Sequence, residues 1–137
     1  MLAPTEEYIM SDFGPLQIQV QAIGGTVGGT AISTRGDELD VGYFDTMTLF
    51  VDYVAGTEGT IYIYPKFRHA TGGTAYQWQT WTATAGDKTV TTNRLALTAS
   101  GSYYATFDVR GVQYAQFYSQ TVGTPTGALG LFVTLTD

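Results

Sequence analysis

The amino-acid sequence predicts an all-β chain: an antiparallel two-sheet β-sandwich of the jelly-roll or Greek-key type, about eight strands behind an N-terminal arm. Three observations predict it. Apolar and polar residues alternate with period two in several separate runs, as half-buried strands require. The runs recur every 8–14 residues or so and are parted by clusters of Gly, Thr and Pro, with no convincing helical pattern between them. The 23 threonines and 10 tyrosines suit a pleated, half-buried surface.

Residues 1–15 read as the arm, and residues 16–137 as the sandwich domain. The arm holds Pro4, Pro15 and the acids Glu6, Glu7 and Asp12, together with the apolar Tyr8, Ile9, Met10 and Phe13. A free tail needs no apolar anchors, so these four are expected to dock the arm on its own domain or on a neighbouring subunit. In LQIQVQAI (16–23), Leu16, Ile18, Val20 and Ala22 alternate with three glutamines, which predicts a strand. GGTVGGT (24–30) is too rich in glycine for a strand interior and predicts a turn or a bulged connection.

TMTLFVDYV (46–54) alternates again, with Met47, Leu49, Val51 and Tyr53 on one face. After a turn over 55–59, TIYIYPKFRH (60–69) sets Ile61, Ile63, Pro65 and Phe67 opposite Tyr62, Tyr64, Lys66 and Arg68. Proline has no N–H to give a ladder, so this strand is expected at a sheet edge or bulged at Pro65. AYQWQTWT (75–82) follows, then shorter runs at 88–92 and 94–99. SYYATFDV and QYAQFYSQT flank a corner at Arg110-Gly111-Val112, and ALGLFVTLTD closes the chain with Leu129, Leu131, Val133 and Leu135 on one face.

Composition excludes several chemistries. The 137 residues include no cysteine and one histidine. That leaves no disulfide framework, no thiol nucleophile, no thiolate metal site and no multi-histidine centre, and no cofactor is expected. Charged residues are only 13%, with a formal net charge of −6. Phosphate binding needs clustered Lys and Arg, so a nucleic-acid partner is not expected. No stretch reaches the roughly 20 apolar residues of a membrane helix. Met1–Tyr8 carries acids where a secretory leader carries bases, so no signal peptide is expected.

The charge is lopsided. Residues 1–58 contain nine acids against Arg35 alone, whereas residues 59–137 are slightly basic. This reads either as complementarity between subunits or as acidic loops that keep the chain soluble. RGDELD (35–40) gathers three acids in four positions, and is expected to be a solvated acidic loop more than a calcium site, since its spacing fits no EF-hand. The Arg-Gly-Asp tripeptide within it is short enough to arise by chance. His69 ends a strand with no nucleophile or orienting carboxylate evident beside it, so no catalytic residue is assigned and no enzyme is expected. Trp78 and Trp81 are three apart and point to opposite faces of a regular strand. One can be core while the other, with Tyr76 nearby, offers a partner- or sugar-stacking platform.

The stretch from DTMTLFVDYVAGTEGTIYIYPKF through AYQWQTWTAT and LTASGSYYATFDVRGVQYAQFY to GTPTGALGLFVTLTD resembles small all-β virion proteins of tailed bacteriophages. These are capsid decoration (accessory) proteins or tail and neck components. The resemblance covers roughly residues 45–137 and rests on the order of strands and turns. It implies a non-catalytic structural protein that forms a homo-oligomer and docks on other virion proteins such as the major capsid or tail protein. It also implies residence in the virion after synthesis in the host bacterial cytoplasm. The competing expectation is a carbohydrate-binding module that uses an exposed Trp78 or Trp81.

Overall fold

The computed structural model describes residues 15–84 and 87–137, and the side chains of all of these except 80–92. Among the described residues eleven strands run in chain order: β1 (Leu16–Thr26), β2 (Ser33–Asp40), β3 (Thr46–Val54), β4 (Thr60–Arg68), β5 (Tyr76–Gln77), β6 (Thr80–Thr84), β7 (Asp87–Thr92), β8 (Leu95–Leu97), β9 (Gly101–Asp108), β10 (Tyr114–Val122) and β11 (Ala128–Thr136). One sheet has the order β1-β11-β3-β9, and the other β2-β10-β4, with β5 and β8 both paired to β4. Every pairing within the two sheets is antiparallel.

The pairings nest. β1 lies on β11, β2 on β10, β3 on β9 and β4 on β8, as if one long hairpin had been wrapped into two sheets. That is the jelly roll. β5 and the separate β6–β7 hairpin are an insertion between β4 and β8. The roll has eight strands, the number expected, but they are not all runs read from sequence: β2 was not among those, and the runs at 75–82 and 88–92 fall in the insertion.

Alternation explains the layering, because every second residue of a strand must leave water. Met47, Leu49 and Val51 of β3, Ile61 and Ile63 of β4, Phe117 of β10 and Leu129, Leu131, Val133 and Leu135 of β11 are almost fully buried. Each such side chain contributes roughly 1.5–3 kcal/mol by leaving water. Phe107 joins the sheets. Its ring meets Phe67 and Trp78 edge-on, at 6.3 and 5.1 Å, and tilts against Phe117 at 6.3 Å.

Several expectations are refined. β4 is flanked on both sides, so it is no simple edge. Pro65 falls between the β8 partners Ile61–Ile63 and the β5 partners Lys66 and Phe67. Its carbonyl accepts from the Trp78 N–H at 3.1 Å, so its nitrogen also faces away from β10, where the missing donor interrupts no ladder bond. The glycine-rich segment begins inside β1, whose last residues Gly24–Thr26 stay in the strand, and the bulging comes just before them: the register to β11 slips twice between Gln19 and Gly25. There the Gln21 amide donates to the Leu129 carbonyl at 2.7 Å.

RGDELD is corrected outright. It is not a loop but most of β2, an edge strand bulged between its partners Ala115 and Phe117. Only Leu39 among these six is fully buried, so no apolar alternation marked the strand. Gly36 sits in the bulge at φ +77°, and a Cβ there would come within 2.5 Å of Val20 on β1. The arm, with Tyr8, Ile9, Met10 and Phe13, lies outside the described residues up to position 14.

Candidate functional site

The broad surfaces are the two outer sheet faces. On the second sheet, the residues alternating with the core are Tyr62, Tyr64, Lys66 and Arg68 of β4 and Tyr114, Gln116, Tyr118 and Gln120 of β10. Direct pairing sets Tyr64 beside Tyr118 and Lys66 beside Gln116. Arg94, just before β8, places its guanidinium 3.7 Å above the Tyr62 ring and donates to the Tyr64 hydroxyl at 3.0 Å. Tyr64 in turn donates to Gln120 at 2.8 Å, and the Gln120 amide donates to the Thr30 carbonyl at 3.0 Å. Lys66 stands 4.4 Å from the Tyr118 ring centre, and Arg68 pairs with Glu38 across the sheet. Cations over aromatic faces are held electrostatically as well as by packing. Tyr and Arg are also the residue types that anchor protein interfaces.

The first sheet's outer face is different. Register places Phe132 of β11, Phe50 of β3 and Tyr104 of β9 side by side, with Gln19 of β1 next in the row. The Phe50 and Tyr104 rings lie 6.1 Å apart, and Tyr104 is 73% exposed. Phe50, Phe132, Gln17 and Gln19 border an open depression of about 430 Å³. Around the row stand threonines, including Thr48 and Thr106, whose hydroxyls meet at 3.3 Å. The carboxylates of this face are occupied. Asp52 accepts from Ser102 at 2.8 Å, and Asp108 binds Arg110 at 2.6 Å. Hydrogen bonds from the Arg110 side chain and backbone hold Asp108 down to about 2.

Where the two sheets join at one end, Glu58 is buried between the β3–β4 and β10–β11 turns. Its carboxylate accepts from the Tyr53 hydroxyl and from the N–H groups of Gly56 (2.8 Å), Thr126 (3.0 Å) and Gly127 (2.8 Å). Burial alone would raise its pKa, but these donors outweigh burial and bring it to about 2. Burial, then the hydrogen bond and charge of Glu58, push Tyr53 up to about 12. A Cβ on Gly127 would run into the carboxylate, so this turn position admits only glycine. The arrangement is a fastener for the sandwich. The sequence reading missed it, since a single acid in a Thr-Glu-Gly turn looks like any solvated turn acid.

Among the described residues, those singled out from sequence do not converge. Trp78 is half-buried and packs on the core edge-on to Phe107. Trp81 lies in β6 opposite Val90, with its side chain outside the described part. His69 is exposed, its ring 6.0 Å from that of Tyr76. The acids of β2 diverge: Glu38 goes to Arg68, and Asp40 accepts from Gly42 and Gln113. Among the described residues no three His, Asp or Glu side chains gather as metal ligands, and no helix is long and apolar enough to cross a membrane. Arg35 of the Arg-Gly-Asp tripeptide is held by the Ser33 hydroxyl at 2.9 Å, on the same side as Phe117.

No protein-family model matches the chain, and no curated protein matches it. Solved structures do. The SPBc2 prophage-derived protein YomS is similar over 90% of this chain and 93% of its own, with a TM-score of 0.54 and 18% identity. A structure of Bacillus endospore appendages matches over 90% and 86%, at 0.51 and 8%. The Triatoma virus empty capsid matches over 98% and 93%, at 0.48 and 7%. At these identities the likeness is one of fold.

Proposed function

We propose that this chain is a non-catalytic structural protein of a tailed-bacteriophage particle, a capsid decoration or accessory subunit. It acts by homo-oligomerisation and by docking on other virion proteins such as the major capsid or tail protein. The observation that carries this reading is the likeness of fold, along nearly the whole of both chains, to a prophage-derived protein. Two interface-like faces on one small rigid sandwich support it, because broad aromatic surfaces serve assembly better than a cleft serves catalysis. The endospore appendages are described as disulfide-linked pili, a linkage for which this chain has no cysteine. The chain is made in the host cytoplasm and resides in the virion. Its arm, residues 1–15, docks through Tyr8, Ile9, Met10 and Phe13, while Trp78 and Trp81 contribute to the partner surface.

The test is co-sedimentation of the tagged chain with phage particles on a density gradient, followed by imaging of the labelled particles. The expected result is regular label on the capsid, lost when residues 2–15 are deleted. A chain that stays at the top of the gradient would refute the proposal.

A further inference from the structure

Sheet edges offer unpaired N–H and C=O groups to any passing strand, and proteins usually blunt them. Three edges of this sandwich are blunted in recognisable ways. β1 is bulged twice through its glycines. β2 carries Arg35, Asp37, Glu38 and Asp40 and a bulge at Gly36. On the far side of β4, β8 is three residues long and β5 two. β9 has none of these devices. It is eight residues long, pairs with β3 in unbroken register from Gly101 to Asp108, and has no Pro, Lys, Arg or bulge. Its one charge, Asp108, is at the end and already bound to Arg110. Among the described residues its other side pairs with nothing.

The free groups can be identified. The Val109 N–H donates to the Asp45 carbonyl at 2.9 Å, which makes 109 and 45 a hydrogen-bonded pair of the β9–β3 ladder. Such pairs alternate along an antiparallel ladder, so Phe107, Ala105, Tyr103 and Gly101 face β3. Ser102, Tyr104 and Thr106 therefore turn their N–H and C=O groups outward.

We propose that β9 is a self-association edge, pairing antiparallel with β9 of a second copy about a two-fold axis at Tyr104. This deepens the homo-oligomer reading above and rests on it. The strand is self-complementary in that register. Tyr104 meets its own copy, Ser102 meets Thr106, and Tyr103 meets Ala105, with no charge opposite a charge. On the outer face the row Phe132–Phe50–Tyr104 continues without a break into Tyr104–Phe50–Phe132 of the partner, joining two four-stranded sheets into one. The interface is isologous, so it closes at two copies. A joint of one strand pair and its flanking rings belongs with interfaces under about 1,200 Å², so the dimer should dissociate on dilution.

Light scattering of the wild-type chain from about 5 to 500 µM should show the mass rising from monomer towards dimer, as expected for a micromolar dissociation constant. Thr106→Pro removes an outward N–H without touching the β3 ladder, and Tyr104→Lys puts a charge in the seam. Each should stay monomeric throughout the range with a wild-type circular dichroism spectrum. The lack of native cysteine allows a register test that does not depend on either variant. The double variant Ser102→Cys with Thr106→Cys should form a disulfide-linked dimer under mild oxidation, because hydrogen-bonded partners lie about 5.5 Å apart at Cα. Neither single variant should cross-link, because each then faces a non-cysteine partner. The proposal is overturned if the wild type is monomeric at the highest concentration, if its oligomer survives both edge variants, or if a single-cysteine variant cross-links as well as the double. A monomeric wild type that still co-sediments with particles would sink this edge while leaving the virion reading intact. Should Thr106→Pro then lose the particles, the edge takes a strand from another protein, which again excludes self-pairing.

Discussion

The two outer faces are built by the same alternation, yet they have opposite characters. On the β2-β10-β4 face, cations and tyrosines occupy one another. Arg94 lies on Tyr62, Lys66 on Tyr118, and Arg94, Tyr64 and Gln120 form a chain of hydrogen bonds ending on a backbone carbonyl. On the β1-β11-β3-β9 face, the aromatic row is flanked by threonines and glutamines, and its acids are already bound. Lys66, Arg68 and Arg94 all belong to the second sheet, but so do Asp37, Glu38 and Asp40 of β2, so the lopsided charge of the sequence does not divide between the two sheets. The contrast teaches that an interface-like composition can be spent internally. The Tyr/Arg face is largely committed to its own rigidity, whereas the neutral face keeps both its rings and one of its edges open.

The largest expected effect comes from removing what the faces share. Phe107 leaves the first sheet and fills the space between Phe67, Trp78 and Phe117. Phe107→Ala should cost about 3–5 kcal/mol in denaturant unfolding, through lost transfer energy and the cavity left behind. A much smaller loss would mean the sheets are not seated on this ring. Next is the fastener at the sandwich end. Glu58→Gln places an amide N–H₂ where one carboxylate oxygen accepts hydrogen bonds, and should cost about 2–3 kcal/mol.

The same pair sets two pH edges. Glu58 falls from 4.5 to about 2 on folding, so its stabilisation is complete above pH 4.5 and is lost as pH falls from there towards 2. Tyr53 rises from 10.0 to about 12, so its contribution is complete below pH 10 and fades as pH climbs towards 12. Thermal unfolding across pH should show both edges in the wild type. In Glu58→Gln the acid edge should flatten, and the alkaline edge should shrink to the part due to Tyr53's burial.

These predictions rest on residues of unequal legibility. The core strands could be read directly, because Met47, Leu49 and Val51, or Leu129, Leu131, Val133 and Leu135, are each buried on one face only. β2 could not, since its single fully buried aliphatic, Leu39, sits among acids that an edge strand needs for protection. Pro65 was read as the mark of an edge strand or a bulge, and β4 is neither: it pairs with β10 in unbroken register through Pro65, and the proline's place between two short partners depends on an insertion that only the fold reveals. Glu58 was invisible for a stronger reason: its donors come from Gly56, Thr126 and Gly127, and the last two lie nearly 70 residues away. The pairing of Phe132, Phe50 and Tyr104 is likewise a matter of register between three strands. No run of sequence contains it.

Two smaller effects sharpen the contrast between the faces. Tyr64→Phe deletes the hydroxyl that links Arg94 to Gln120 on a side chain only 6% exposed. It should cost about 1 kcal/mol, or roughly 3–5 °C in Tm for a chain of this length. Phe50→Thr, on the other face, replaces a ring that is 42% exposed with a residue that suits an exposed strand and already neighbours it at Thr48. The cross-strand contacts to Tyr104 and to its register neighbour Phe132 are lost from the folded monomer, and the expected cost is about 0.5 kcal/mol. Measured by thermal unfolding at low concentration, Phe50→Thr should therefore be the milder change, although it removes more apolar surface. If it proves as costly as Tyr64→Phe, the aromatic row is holding the monomer together and the two faces are structural alike. If it is mild in dilute solution but becomes costly as concentration rises, the ring is stabilising contacts made between copies, as an open face should.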